Sequence, residues 1–395
     1  MENKNKNKEL QTDITQLFKE FFRSEQAGGI VLLVCALISL FLSNFVFRQG
    51  YTDIWQVKVA GWSIEHIIND GLMAIFFFLI GLELEREIYR GELSNIKNAM
   101  LPVIAAIGGM LVPAGIHLAL NAGTPTQAGF GIPMATDIAF AIGVLSILGN
   151  RVPLSLKIFL TALAIIDDLG AILTIAIFYT KELSFLNLAI SLGIFGILII
   201  LNRLKVYLIW IYIVGGIAMW YFMHYSGVHA TIAGVLLAFA LPFGDGSKKS
   251  PSYKVQHFLH YPVAFFVLPV FALANTAIIL PSDWSSSLFT PNSLGIFLGL
   301  FFGKSIGITL FSFLAVILGF AVLPKELKYK NILGVAFIGG IGFTMSTFIT
   351  LLAFTDQEII VSSKIAILIS SFIAGLTGFI ILKLTLKKPK IHLES

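Results

Sequence analysis

The chain has little charge and almost no cysteine. Of its 395 residues, only 12% are Asp, Glu, Lys or Arg, whereas a soluble domain carries about 25%. That is too little to cover a water-facing surface, so a soluble globular protein is excluded. The one cysteine, Cys35, has no partner in the chain, which rules out an intrachain disulfide framework and a Cys-rich metal site. No cleaved secretory leader is expected either. The first apolar run is too long, begins too late and ends without a small-residue cleavage site.

What is present is apolar: 57% of the residues, 35 of them Phe, with a mean hydropathy of +0.88. A helix needs about 20 apolar residues to cross the hydrocarbon core. Runs of that order recur at 28–47, 66–85, 99–120, 128–148, 156–179, 186–202, 207–223, 227–242, 258–280, 293–319, 331–354 and 361–383. They predict an all-α integral membrane protein with twelve transmembrane helices, in one domain over residues 28–385. Before it, Leu10, Ile14, Leu17, Phe18, Phe21 and Phe22 recur at three- and four-residue steps, which predicts an amphipathic surface helix within residues 1–27. Residues 386–395 form a polar tail. Between the first two runs, YTDIWQVKV at 51–59 ends in a Val-Lys-Val alternation that predicts a small exposed hairpin.

Charge orients the chain. If the termini and the even-numbered connections share one side, only Arg48, Lys58, Lys181 and Lys364 of the 27 Lys and Arg fall on the other side, and Lys304 lies within a run. Basic residues collect on the cytoplasmic side, so both termini are expected in the cytoplasm. The same loops account for the pI of 9.1, and no nucleic-acid partner is expected.

The ionisable residues well inside the runs are few: Asp137 in GIPMATDIAFAIG, adjacent Asp167 and Asp168 in TALAIIDDLGAIL, His229 in GVHATIAGV and Lys304 in LGLFFGKSIGITL. Each charge at mid-bilayer costs about 2.5 to 3.5 kcal/mol, so three Asp and a Lys together cost on the order of 10 kcal/mol unless they meet one another or water. A structural ion pair needs one acid, and this chain supplies three for one Lys. Consecutive helical residues point about 100° apart, so Asp167 and Asp168 cannot both face one partner squarely. One of them can pair with Lys304 while the other lines an aqueous path, and carboxylates this close titrate as a coupled set. Oxygen ligands that exchange protons suit a small hard cation competing with H+.

Two segments have the composition of broken helices. GIPMATD, residues 131–137, puts Gly and Pro ahead of Thr136 and Asp137, and GVAFIGGIGFTMSTF, residues 334–348, puts Gly339, Gly340 and Gly342 ahead of Thr344. Either segment alone is equally explained by close packing through small residues. Together they occupy the fourth and eleventh runs, which correspond if runs three to five and ten to twelve form an inverted repeat. Paired interruptions point to a transporter with its site at the repeat interface. Opposed half-helix ends would leave partial charges at mid-membrane, and Asp137 and Lys304 have the signs to balance them.

Together, ATDIAFAIGVLSILG, LTALAIIDDLGAI, GVHATIAGV, NDGLMAIFFFLIGLELERE, LPVFALANT and FIGGIGFTMSTFI closely resemble the NhaA family of bacterial sodium/proton antiporters, in family order over residues 15–385. The resemblance implies the NhaA fold, with inverted-topology repeats and two discontinuous crossing helices. It implies that Asp168 binds Na+ or Li+ and that Asp167 exchanges protons and pairs with Lys304. Asp137 would balance half-helix dipoles with Thr136 alongside. The implied activity is electrogenic extrusion of Na+ against two inward H+, in the bacterial inner membrane, with no cofactor. It also implies pH regulation through Glu83, Arg86, Glu87, His229 and His257, and a homodimer through the hairpin near 50–60, amid membrane lipid. Two departures affect the pH profile: Glu85 stands where the family usually has Lys, and Gln256 precedes His257 where Glu is common.

Rival functions fit less well. An intramembrane aspartyl protease needs Gly-x-Gly-Asp, and Pro242-Phe243-Gly244-Asp245 lacks the first Gly and sits in a loop. A carrier taking up an organic anion would need cationic binding groups, yet Lys304 is the only base well inside the spans apart from His. A passive channel does not require an acid cluster with a buried Lys.

Overall fold

A computed structural model describes residues 26–180, 182–281 and 284–386 of the chain. The surface helix expected within 1–27 lies outside the described residues, apart from 26 and 27, as does the tail beyond 386.

Helices that are apolar on every face can be stable only in lipid or deep within protein, and this chain is built from them. In chain order they are α1 (Gln26–Val46), α2 (Gln49–Gln56), α3 (Ile64–Arg90), α4 (Ala99–Asn121), the 3-10 segment α5 (Pro125–Met134) and α6 (Ile138–Ile147). There follow α7 (Leu154–Phe178), α8 (Phe185–Arg203), α9 (Ile209–His224), α10 (Ile232–Ala240), α11 (Pro251–Asn275) and α12 (Pro291–Ile317). The chain closes with α13 (Tyr329–Gly339), α14 (Phe343–Ala353) and α15 (Gln357–Thr385). Among the described residues eight are long and apolar enough to cross a membrane, and ten spans result if each bent pair, α5/α6 at 44° and α13/α14 at 46°, counts as one.

The predicted count of twelve is therefore not reached by length alone. The seventh and eighth runs are helical but short, 16 residues in α9 and 9 in α10. Gly227, at φ +85°, opens a turn that uses up the start of the eighth run, and Pro242 closes the helix at its other end. The hairpin is also smaller than predicted. Residues 51–56 belong to α2, and only β1 (Lys58–Val59) pairs with β2 (Trp62–Ser63), in antiparallel register Lys58↔Ser63 and Val59↔Trp62. Ala60 and Gly61 turn the chain at φ +53° and +89°, the positive values that a two-residue hairpin requires.

Burial ranks the helices. In α7, 72% of the membrane-length window is buried inside the protein, against 11% in α8, so α7 is the central post and α8 lies against lipid. Lipid offers helices no hydrophobic drive to associate, so close backbone approach through small residues takes its place. The contacts of α12 with α4 and α5 show this. Gly299, Gly303 and Gly307 recur every fourth residue along one face of α12. A methyl group at Gly299 would meet Pro133 at 2.7 Å, one at Gly303 would meet Pro113 at 2.7 Å, and one at Gly307 would collide with the Gly108 carbonyl. This stripe seats Lys304 wholly inside the protein.

Candidate functional site

The two bent pairs meet at their breaks. Pro133 and the extended Ala135 end α5, and Gly339 and Gly340 end α13, so backbone groups are left without helical partners where no water can take them up. They are satisfied across the break. The Asp137 amide donates to the Ile341 carbonyl at 2.7 Å, and the Ser346 hydroxyl donates to the Ile132 carbonyl at 2.7 Å.

Asp137, 2% exposed, serves two helix N-termini at once. As the N-cap of α6, its Oδ1 accepts from the Phe140 amide at 3.0 Å. Its Oδ2 accepts from the amide of Thr344 at 3.0 Å and from its hydroxyl at 2.6 Å, in the first turn of α14. The amides of Gly342 and Phe343 beside it donate to the Ser371 hydroxyl at 3.2 and 3.3 Å. Both positive helix ends thus face acceptors, one of them a carboxylate.

On the other side of the break stands the cation. Lys304 Nζ donates to Asp167 Oδ2 and, at 2.7 Å, to the Thr136 hydroxyl. That hydroxyl lies 2.8 Å from Asp167 Oδ2 and 2.8 Å from the Gly339 carbonyl at the C-terminus of α13. Its single proton can serve only one of them at a time. Lys304, Asp167, Asp168 and Thr136 are all 0% exposed.

Asp168 differs from its neighbour. Neither of its carboxyl oxygens has a hydrogen-bond partner among the described residues, nor has Asp167 Oδ1. Asp168 lies within electrostatic range of Asp167, Asp137 and Lys304. Three orphaned oxygens on adjacent carboxylates, beside one paired oxygen and a Lys, cannot stay ionised and unliganded in a dry interior. They can take up protons or a hard cation of the Na+ class. Near the same bent pair, the Tyr179 hydroxyl donates to the Ala128 carbonyl at 2.7 Å and ties α5 to the end of α7.

The five residues named for pH regulation fall into two places. Glu83 and Arg86 lie late in α3, with Arg86 Nη1 3.5 Å from Gln256 Oε1. His257 is exposed and stacks on Tyr253, and it is His260, one turn further along α11, whose Nδ1 approaches Glu83 at 3.7 Å. Glu87 continues the Glu83 and Arg86 face toward the end of α3. His229 is elsewhere, with its ring 6.3 Å from Phe348 and in a cavity shared with Asp70. The thirteen helical steps of α3 from Asp70 to Glu83 span about 20 Å. Sequence reading missed Ser371, Ser346 and His260. A Ser in an apolar run carries no signal of its own until its partner across the break gives it meaning, and His260 gains its meaning only from Glu83 on α3.

Comparison with known proteins gives a consistent outcome. The family model described as Na+/H+ antiporter 1 matches residues 19–382. The chain is 62% identical over 377 residues to "Na(+)/H(+) antiporter NhaA 1" of Flavobacterium johnsoniae, covering 95% of this chain and 99% of that one. It is 63% identical over 379 residues to "Na(+)/H(+) antiporter NhaA" of Flavobacterium psychrophilum, covering 96% and 99%. Among solved structures, the sodium proton antiporter MjNhaP1 from Methanocaldococcus jannaschii at pH 8 superposes with a TM-score of 0.52 at 17% identity, covering 94% and 99%. At that identity the likeness is one of fold.

Proposed function

This chain belongs to the Na+/H+ antiporter 1 family, and from that membership we propose that it is an electrogenic secondary transporter that expels Na+ or Li+ in exchange for two H+. The family is itself among those on which the rule linking inverted repeats to broken helices rests. One observation carries the reading: Asp168, fully buried, has two oxygens that meet no donor among the described residues, beside the free Oδ1 of Asp167.

In this reading Asp168 and Asp167 hold the cation, and the protons they take up in its place are the counter-cargo. Releasing two protons to bind one Na+ leaves the site one positive charge poorer, so each cycle moves one net charge inward. A membrane potential then contributes about 2.3 kcal/mol per 100 mV to expelling sodium. Asp137 steadies the N-termini of α6 and α14, Lys304 and Thr136 steady the opposite end, and no covalent chemistry is involved. The protein sits in the bacterial inner membrane with both termini cytoplasmic. Glu83, Arg86 and Glu87, with His257 or the better placed His260, respond to cytoplasmic pH, and His229 responds from the other cavity. The exposed hairpin joins two copies, and deleting residues 57–63 is expected to leave monomers in light scattering.

The test uses everted vesicles energised by respiration. Adding Na+ or Li+ is expected to dissipate the pH gradient in the wild type and to have no effect in Asp168→Asn, with the variant inserted in normal amount. A full response from Asp168→Asn would overturn the site. In proteoliposomes without a pH gradient, an inside-negative potential is expected to speed Na+ efflux several-fold. Indifference to the potential would mean electroneutral exchange.

A further inference from the structure

Outside the acid cluster, the start of α3 and the end of α9 bring together three side chains that are neither among the residues singled out in the sequence nor used by the antiport mechanism. Asp70 Oδ2 lies 3.4 Å from His66 Nε2 and 3.2 Å from His224 Nδ1, and all three ligand atoms lie within 4.8 Å of one another. We infer that His66, Asp70 and His224 form a binding site for one divalent transition-metal ion of the Zn2+ class.

Distance favours a metal over a proton-sharing ion pair on the two edges that meet at Asp70. A charge-assisted N–H···O bond closes to about 2.7 to 2.9 Å. Two ligand atoms on a tetrahedral ion with bonds of about 2.0 to 2.1 Å lie about 3.3 Å apart. The observed 3.4 and 3.2 Å lie on either side of that tetrahedral edge. Two imidazoles and one carboxylate make a donor set for Zn2+, Ni2+ or Cu2+, whereas Na+, Mg2+ and Ca2+ take oxygen ligands. Three protein ligands leave a fourth position for water.

The ligands are held in place before any ion arrives. Asp70 falls in the π-helical stretch Ile67–Leu72, a local widening of the helix that recurs at functional sites. The Trp220 indole donates to the Asp70 carbonyl at 3.2 Å and ties α9 to α3. The Trp62 ring packs 5.1 Å from the His66 ring and 4.7 Å from the His224 ring. Fixed rings of this kind reduce the ordering that a metal must impose.

The site opens on a cavity of about 370 Å3 that reaches His229, Tyr179 and Phe348 of α14. On the antiport reading proposed above, an ion held there would stiffen α3 and α9 against a broken helix that must move, and so would slow exchange.

The test uses the full chain, purified without a polyhistidine tag and dialysed against Zn2+. One Zn2+ per chain is expected to bind saturably, and Cu2+ is expected to quench the fluorescence of Trp62. His66→Gln and His224→Ala should each weaken binding by more than about tenfold, while His257→Ala should not change it. No saturable binding, or unchanged affinity in both variants, overturns the site. If the variants insert poorly, labelling of the wild type with diethyl pyrocarbonate decides: protection of His66 and His224 by Zn2+ supports the site, and undiminished labelling overturns it. In vesicles, Zn2+ should slow the Na+-dependent response of the wild type but not that of His224→Ala. Absence of any Na+ response without zinc would count against antiport and leave the metal site standing.

Discussion

At mid-membrane one ammonium group is shared unequally among three carboxylates. Lys304 reaches Asp167 and Thr136, Asp137 is satisfied by amides and a hydroxyl, and Asp168 has no donor among the described residues. Removing one partner of a buried pair leaves a bare charge and costs about 3 to 5 kcal/mol, whereas replacing both can be almost neutral. Lys304→Met is therefore expected to lower the melting temperature markedly. Combining it with Asp167→Asn should recover most of that loss, as fluorescence-detected size exclusion after heating would show. A double variant no more stable than Lys304→Met would mean that the pair does not carry this energy. The residue types at 137, 167, 168 and 304 were legible in the sequence because charge in an apolar run needs an explanation. Which acid takes Lys304 was implied only by the family resemblance and not by the residues themselves, because it depends on the rotation of α7 about its axis.

At the scale of elements, the crossing works because Asp137 accepts from the first turns of both α6 and α14. Losing an N-cap costs about 0.5 to 2 kcal/mol per helix, and Asp137 serves two helices. Asp137→Ala should therefore destabilise the protein by about 1 to 4 kcal/mol, and Thr344→Val, which keeps the amide bond, by distinctly less. Equal melting shifts for the two would argue against a shared cap. Composition announced both breaks, since Gly and Pro just ahead of a capping residue end one helix and start another. The shortening of the eighth run to Ile232–Ala240 and the helical turn at 51–56 were not legible. Hydropathy measures how apolar a stretch is and does not detect the positive φ at Gly227 that delays the helix.

For the whole molecule, the proposed exchange makes sodium and protons competitors for the same oxygens. Raising the pH strips protons from the site and favours Na+, so the apparent KM for Na+ should fall as pH rises and climb again as pH drops. Two protons displaced per ion would give a change approaching about 100-fold per pH unit on the acid side, and one proton about tenfold. Sodium-dependent fluorescence quenching at a series of pH values would measure it, and a KM independent of pH would exclude direct competition. The long stretch of α3 between Asp70 and Glu83 keeps the His66, Asp70 and His224 cluster remote from the Glu83 face, so zinc inhibition should be separable from the part of the pH response carried by Glu83, Arg86 and Glu87.

Chemistry that depends on residue type was determined by the sequence alone: a membrane protein of many apolar helices, two interrupted helices, and acids with one Lys that could not be in lipid without a purpose. These follow because the solvent punishes charge and unpaired backbone locally, wherever the chain folds. Only the tertiary structure decided that Asp137 caps two helices, that Asp168 and not Asp167 stands without a donor, and that His260 rather than His257 meets Glu83. Each of those facts depends on the angle and distance between helices far apart in the chain, and such angles are set by glycine stripes and backbone breaks acting together.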